Sequence, residues 1–171
     1  MYLTCLIDVY SRVIVGWRLS NSLSKDTTLE ALEDALWRYG APDIINTDQG
    51  VQFTSEEWQK LCLLNGIKVS MSHKGGSTDN AYVERFWRTL KFEGFYLDFP
   101  ETMEELKKML SLFMKWYNEE RLHSSLQYKP PMEVLKRAQN QTYGNVDNLA
   151  RAKFPTSPQV QQSQIQYCFL N

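Results

Sequence analysis

Apolar and polar positions alternate in short blocks over residues 2 to 7 and 13 to 19, with Val13, Val15 and Trp17 two apart and the turn DVYSR between the blocks. This spacing predicts an opening β-hairpin. The period then changes. Over KDTTLEALEDALWRYGAP, Leu29, Leu32 and Leu36 share one helical face, with Asp26 or Thr27 as the expected N-cap and Gly40 and Pro42 as the stop. Asp43 to Thr47 is a short strand, buried on account of Ile44 and Ile45. TSEEWQKLCLLNG opens with a capping box of Thr54 and Glu57, carries Trp58, Leu61 and Cys62 on one side, and ends at Gly66; Ile67 to Met71 is a further strand.

SHKGGSTDN holds two glycines and two serines but no apolar residue, so it is expected to be an exposed, mobile loop. Thr78 or Asp79 then caps a helix reaching Phe92. A second capping box, Thr102 with Glu105, starts a longer helix whose Leu106, Met109, Leu110, Phe113 and Tyr117 form a stripe that reads as core rather than as a cofactor site. Pro131 to Ala138 is a short helix with proline in its first turn. Beyond Gln139 the pattern fades, and SPQVQQSQIQYCFLN reads as a poorly ordered tail. The order of elements specifies an α/β domain with its strands early and its helices late, a core over residues 1–138 and a tail over 139–171.

Composition narrows the picture modestly. A chain of 171 residues with 43% hydrophobic content can bury one ordinary core. Cys5, Cys62 and Cys168 are scattered, with no paired or zinc-type spacing, which suits a reduced, intracellular protein without structural zinc. The start, MYLTCLIDVYSR, is broken by Asp8 and is neither a signal peptide nor a span, so a cytoplasmic protein is expected. Charge balances at 19 basic against 20 acidic residues, yet residues 1 to 60 carry 5 against 9 and residues 61 to 171 carry 14 against 11. An acidic first part and a basic second part fit a metal cluster beside a phosphate-binding face, or equally ordinary solvated charge.

Two carboxylates give that asymmetry content. Asp48 directly follows a short strand, the place in an open α/β sheet where ligand-contacting residues gather; a plain turn closed by Gly50 is the competing reading. Glu84, Arg88 and Lys91 recur at i, i+4 and i+7 on one helical flank, away from Val83, Phe86, Trp87 and Leu90. That flank is either a surface ion-pair triplet or a site with a cation at one end and a DNA phosphate at the other. Later, Arg121, His123 and Lys129 leave a basic segment that either tracks a phosphate backbone or forms a structural junction.

GAPDIINTDQGVQFTSEEWQKL, SMSHKGG, TDNAYVERFWRTLKFE and WYNEERLHSSLQYKPPMEV together closely resemble the catalytic core of bacterial insertion-sequence transposases of the DDE class, the family-three type whose cores look like retroviral integrases. The resemblance covers roughly residues 1 to 137, and the 35 residues between Asp48 and Glu84 are the spacing for which the family is known. It implies a ribonuclease-H-like integrase core, a mixed sheet flanked by helices, holding two Mg2+ or Mn2+ ions between acids. By resemblance Asp48 is the second acid of the triad, Glu84 the third and Lys91 a contact to the transposon end, with Arg88, Lys74 and His73 further DNA contacts. The implied activity is DNA cleavage and strand transfer, and the implied partners are transposon ends, target DNA and further copies of the chain. No membrane is involved.

The chain departs from the family at its start. The first aspartate of the triad belongs to a strand just upstream of the segment resembling YLTCLIDVYSR, so the fold is expected to lack its first, central strand and to leave its neighbours with unpaired edges. Asp8 matches another family position and is expected to shape the hairpin turn with Ser11 and Arg12. Two readings stay open: a DDE transposase core whose metal-dependent nicking or strand transfer depends on Asp48 and Glu84, expected to be inactive alone if the first aspartate is missing, and a dead remnant that at most binds DNA or a full-length partner. A ribonuclease-H-like nuclease acting on RNA hybrids is a weaker third.

Overall fold

A computed structural model describes residues 1–22, 24–48, 50–71, 81–95, 100–149 and 164–170, with backbone alone at 51, 141–149 and 164–170. The hairpin forms as the alternation predicts: β1 (Tyr2–Asp8) pairs antiparallel with β2 (Ile14–Ser20), with a register shift between Leu6 and Ile7. α1 (Lys25–Tyr39) follows, then β3 (Ile44–Thr47), α2 (Glu56–Leu64) and β4 (Lys68–Met71), which runs parallel to β3. α3 (Ala81–Leu90) continues into a π-helical turn, Lys91–Phe95, and α4 (Met103–Glu119) and α5 (Pro131–Leu149) complete the helices. The last strand, β5 (Gln164–Leu170), enters the middle of the sheet, giving the order β2-β1-β5-β3-β4.

Alternation along the strands divides the core in two. Leu3, Cys5 and Ile7 of β1 face α3 and α4, packing with Phe86, Leu90, Leu110 and Tyr117. Leu6 of β1, Val15 of β2 and Ile45 of β3 face α1 and α2, packing with Leu32, Phe53 and Trp58. α1 lies hard against β2 at Gly16, where a Cβ would fall 2.5 Å from the Ala31 carbonyl oxygen and 2.7 Å from a Leu6 methyl. Leu110 has no exposed surface, so truncating it to alanine costs about 3 kcal/mol.

Several boundaries differ from the sequence reading. α1 is capped by Ser24, whose hydroxyl accepts the Thr27 N–H at 3.3 Å; Asp26 falls inside the first turn, where the helix dipole favours its charge. α2 is capped by Ser55, which accepts the Trp58 N–H at 3.3 Å, because Thr54 is taken up in a 3-10 turn over Val51–Thr54. The Thr102–Glu105 box is present on α4 as expected. The caps expected at Thr78 or Asp79, and the loop of residues 72–80, lie outside the described residues.

The largest correction concerns the end of the chain. Where a poorly ordered tail was expected beyond residue 138, α5 continues to Leu149 and Gln164–Leu170 is a strand, while 150–163 and 171 lie outside the described residues. The inner edges of β1 and β3, expected to be unpaired, both hydrogen-bond to β5, antiparallel and parallel respectively. Backbone pairing dominates here: buried strands need a neighbour on each side, and a glutamine-rich segment with Ile165, Tyr167 and Phe169 at alternate positions can supply one.

Candidate functional site

Asp48 is exposed and directly follows β3. Ile45 points toward α1 and α2, so period-two alternation within β3 turns Asn46 to the opposite side. An Asp48 carboxylate oxygen accepts the Gly50 N–H at 2.9 Å, which holds the side chain in a local turn. Gly50 itself has φ −64, so its lack of a side chain matters for space: a Cβ there would stand 2.9 Å from the same carboxylate oxygen and would also strike the Gln52 amide.

α3 is built with two unlike sides. Val83, Phe86, Trp87 and Leu90 are buried, whereas Glu84, Arg88 and Lys91 are exposed on the neighbouring flank. The ion-pair triplet does not form: Glu84 makes no hydrogen bond or ion pair with another described residue, and Arg88 rests 5.9 Å from the Phe92 ring centroid. Beside this flank lies an open groove of about 530 Å³ lined by Ala81, Glu84, Arg85, Arg88, Thr89, Phe92 and Glu93. Arg85, Phe92 and Glu93 were not singled out from sequence, although residues 81, 85, 88 and 92 fall on one helical face by count alone.

Two contacts fix how α3 lies. At its start, the Arg12 guanidinium stacks 3.7 Å above the Tyr82 ring while also donating to the Val9 carbonyl. At its far end, Arg121 makes a two-pronged ion pair with Glu93, both contacts at 2.7 Å. The hydrogen bond from Arg121 holds the Glu93 carboxyl below the usual carboxylate range, and Glu93 in turn raises the guanidinium pKa. His123 is buried edge-on against Tyr117, and desolvation, reinforced by Arg121 and Arg12, pushes its pKa down to about 4. Arg121 and His123 are thus taken up within the fold, and His123 and Lys129 are also paired through their backbones.

Asp8 takes the part expected of it. Its buried carboxylate accepts from the Ser11 N–H at 2.9 Å and from the Ser11 hydroxyl, closing the hairpin turn in which Arg12 adopts φ 69. These bonds occupy it in the turn. Lys74 and His73 lie outside the described residues, and among the described residues no three histidine, cysteine or acidic side chains gather as a metal cluster. No described helix is long and apolar enough to cross a membrane.

Against known proteins, two family models, each described as integrase core domain, match residues 1–77 and residues 65–131. The transposase of insertion sequence element IS904 from Lactococcus lactis subsp. lactis (strain IL1403) is 38% identical over 141 residues, covering 80% of this chain and 55% of that protein. The transposase InsF of insertion sequence IS3A from Escherichia coli (strain K12) is 34% identical over 127 residues, covering 72% of this chain and 44% of the relative. The chain thus spans about half the length of these curated relatives. Among solved structures, the catalytic core of BIV integrase superposes with a TM-score of 0.67 at 20% identity, covering 82% of this chain and 89% of that one. The HTLV-2 integrase catalytic core in complex with magnesium, in its trimeric form, gives 0.63 at 23% identity, covering 78% and 84%. The fold is that of the ribonuclease-H-like integrase cores, and with transposase sequences matching along the same residues the chain belongs to the integrase-core family of insertion-sequence transposases.

Proposed function

We propose that this chain is the catalytic core of a DDE-class transposase that cuts and joins DNA, with Asp48 and Glu84 as its metal-binding acids. The observation that carries the reading is that both carboxylates are exposed, Asp48 directly behind β3 and Glu84 on α3, the latter without a protein partner among the described residues. Their donor atoms are carboxylate oxygens, which suit Mg2+ or Mn2+. Such ions, when bound, lower the barrier to in-line displacement at phosphorus by sharing the charge of the attacking and leaving oxygens. Asp48 and Glu84 would hold them, Gly50 orients the Asp48 carboxylate, and Arg88 and Lys91 on the same flank as Glu84 would bind the phosphates of the transposon end. Lys74 and His73, in the preceding loop, would add phosphate contacts. Transposon ends, target DNA and further copies of the chain are the partners under this reading.

A second reading is favoured by β5. The strand beside β3 reads QIQYCFL and carries no acid to join Asp48 and Glu84, and Asp8 is taken up in its own turn, whereas the family builds its site from three carboxylates. Under this reading the chain binds DNA without cutting it. Incubation with Mn2+ and a labelled duplex carrying the element's terminal repeat separates the two. Nicking or strand transfer that is abolished in Asp48→Asn and in Glu84→Gln supports the catalytic core. Binding with no metal-dependent product overturns it in favour of the second reading.

A further inference from the structure

The groove beside α3 is not lined by charge alone. Of the large apolar side chains exposed among the described residues, Phe92, at 60% exposure, is the one that lines it. The turn that carries this ring is fixed from behind. In the π-helical turn Lys91–Phe95, Glu93 is held by the two-pronged pair with Arg121, and Gly94 is buried so closely on α4 that a Cβ there would stand 3.1 Å from the Phe113 ring. Phe92 is thus presented on a rigid support, and little ordering is left to be done when a flat ligand meets it. The charge around the ring is cationic in effect. Arg85 and Arg88 line the groove, Arg88 with its guanidinium 5.9 Å from the Phe92 centroid, and Arg85 makes no ion pair with another described residue. Of the two acids there, Glu93 is neutralised by Arg121, and Glu84 is the acid given to a metal ion under the proposed function.

We propose that this groove holds an unpaired nucleotide of the bound DNA, its base stacked on Phe92 and its flanking phosphates on Arg85 and Arg88. The inference rests on the DNA binding in the proposed function and deepens it, because Glu84 precedes Phe92 on the same helix by about two turns, about 12 Å along the axis. Aromatic rings take up unpaired bases whatever their sequence, since every base has a π face, and guanidinium groups beside the ring serve the backbone. Paired DNA is a poor occupant. Inside a duplex each base is covered on both faces by its neighbours, so a ring on a helix surface reaches none of them. The groove volume of about 530 Å³ falls in the range of sites for single small ligands and suits one nucleotide rather than a duplex. Phe92 therefore reads whether the strand is unpaired, a distinction that phosphate contacts alone do not make.

The test measures binding without divalent metal, so that it does not depend on catalysis. Phe92→Leu keeps an apolar side chain but removes the ring. Fluorescence anisotropy with a short labelled oligothymidylate is expected to show roughly tenfold weaker binding for this variant, the loss expected of one stacked base, while affinity for a duplex of the same length barely changes. Arg85→Ala is expected to weaken both and to make the salt dependence shallower by about one counterion. Equal affinity of Phe92→Leu and the unaltered protein for single strands overturns the stack, and an equal loss on both forms of DNA overturns the preference for an unpaired base. In a second measurement the unaltered protein is irradiated with an iodouracil-substituted single strand, and the crosslinked peptide is mapped by mass spectrometry. Label on Phe92 is the expected result; label confined to other residues, or none, overturns the proposal even if Phe92→Leu fails to fold. Loss of Mn2+-dependent cutting with the Phe92 effect intact would remove the catalytic reading and leave this site standing, whereas cutting that persists beside an indifferent Phe92 would do the reverse.

Discussion

α3 and the segment from Trp116 to Lys129 look alike in sequence, each mixing aromatic residues with basic ones, yet they use their charges in opposite ways. On α3, Glu84, Arg88 and Lys91 stand on an exposed flank outside any described ion pair. In the later segment, Arg121 is locked to Glu93, His123 is sunk beside Tyr117, and the Asn118 side chain both accepts from and donates to the backbone of Ile14, at 2.8 and 3.0 Å. A basic residue bonded within its own fold has little left to offer a phosphate. Under the proposed function, the contrast favours ligand binding at the first region and support of that region by the second.

The comparison breaks most clearly on activity. Asp48→Asn and Glu84→Gln are each expected to lower Mn2+-dependent strand transfer by ~10³-fold or more, about 4 kcal/mol of barrier, while leaving the thermal midpoint nearly unmoved because both side chains are exposed. A large loss of stability in either variant would erase the proposed division. In the supporting segment, Asn118→Ala should cost about 2 to 3 kcal/mol in urea unfolding, since it strands the N–H and C=O of Ile14 on an edge strand. It should reduce activity only through the fraction folded.

His123 sharpens the same point through pH. Its folded pKa of about 4 lies below the ordinary 6.5, so the unfolded chain takes up the proton first as pH falls. The associated stability is complete above about pH 6.5 and is lost on descending toward pH 4, a change on the order of 2 kcal/mol. His123→Asn should flatten that slope when urea midpoints are compared at pH 7 and pH 4.5. Arg121→Lys, which keeps the charge but not the two-pronged geometry with partly exposed Glu93, should cost about 1 kcal/mol or less. Smallest in stability, within about 0.5 kcal/mol, are Arg88→Ala and Lys91→Ala. Their signature is a shallower salt dependence of DNA binding, by about one counterion each.

The hairpin, α4 and its capping box were legible because local chemistry decides them: two-residue alternation, a Thr–Glu pair three apart, and a stripe at helical spacing. Asp8, too, could be read as a turn residue, since Ser11 stands within reach of its carboxylate. What stayed hidden depends on distant parts of the chain. Nothing near Arg121 announces Glu93, and nothing near Asn118 announces Ile14, 104 positions away. The same holds for Gln164–Leu170, whose glutamines suggest solvent until two open strand edges elsewhere give its backbone a place. The triplet on α3 was ambiguous for another reason: sequence places charges on one flank, but only the fold tells whether they are already paired.

The pairing of Leu3 with Leu170 also bears on how the protein is made. β1 leaves the ribosome roughly 160 codons ahead of this neighbour, an interval of many seconds of synthesis at ordinary rates. Contacts so far apart in sequence make for slow folding. During that interval the inner edge of β1 is unpaired and apolar on both faces, so the nascent hairpin is the stretch for which a chaperone would be most needed.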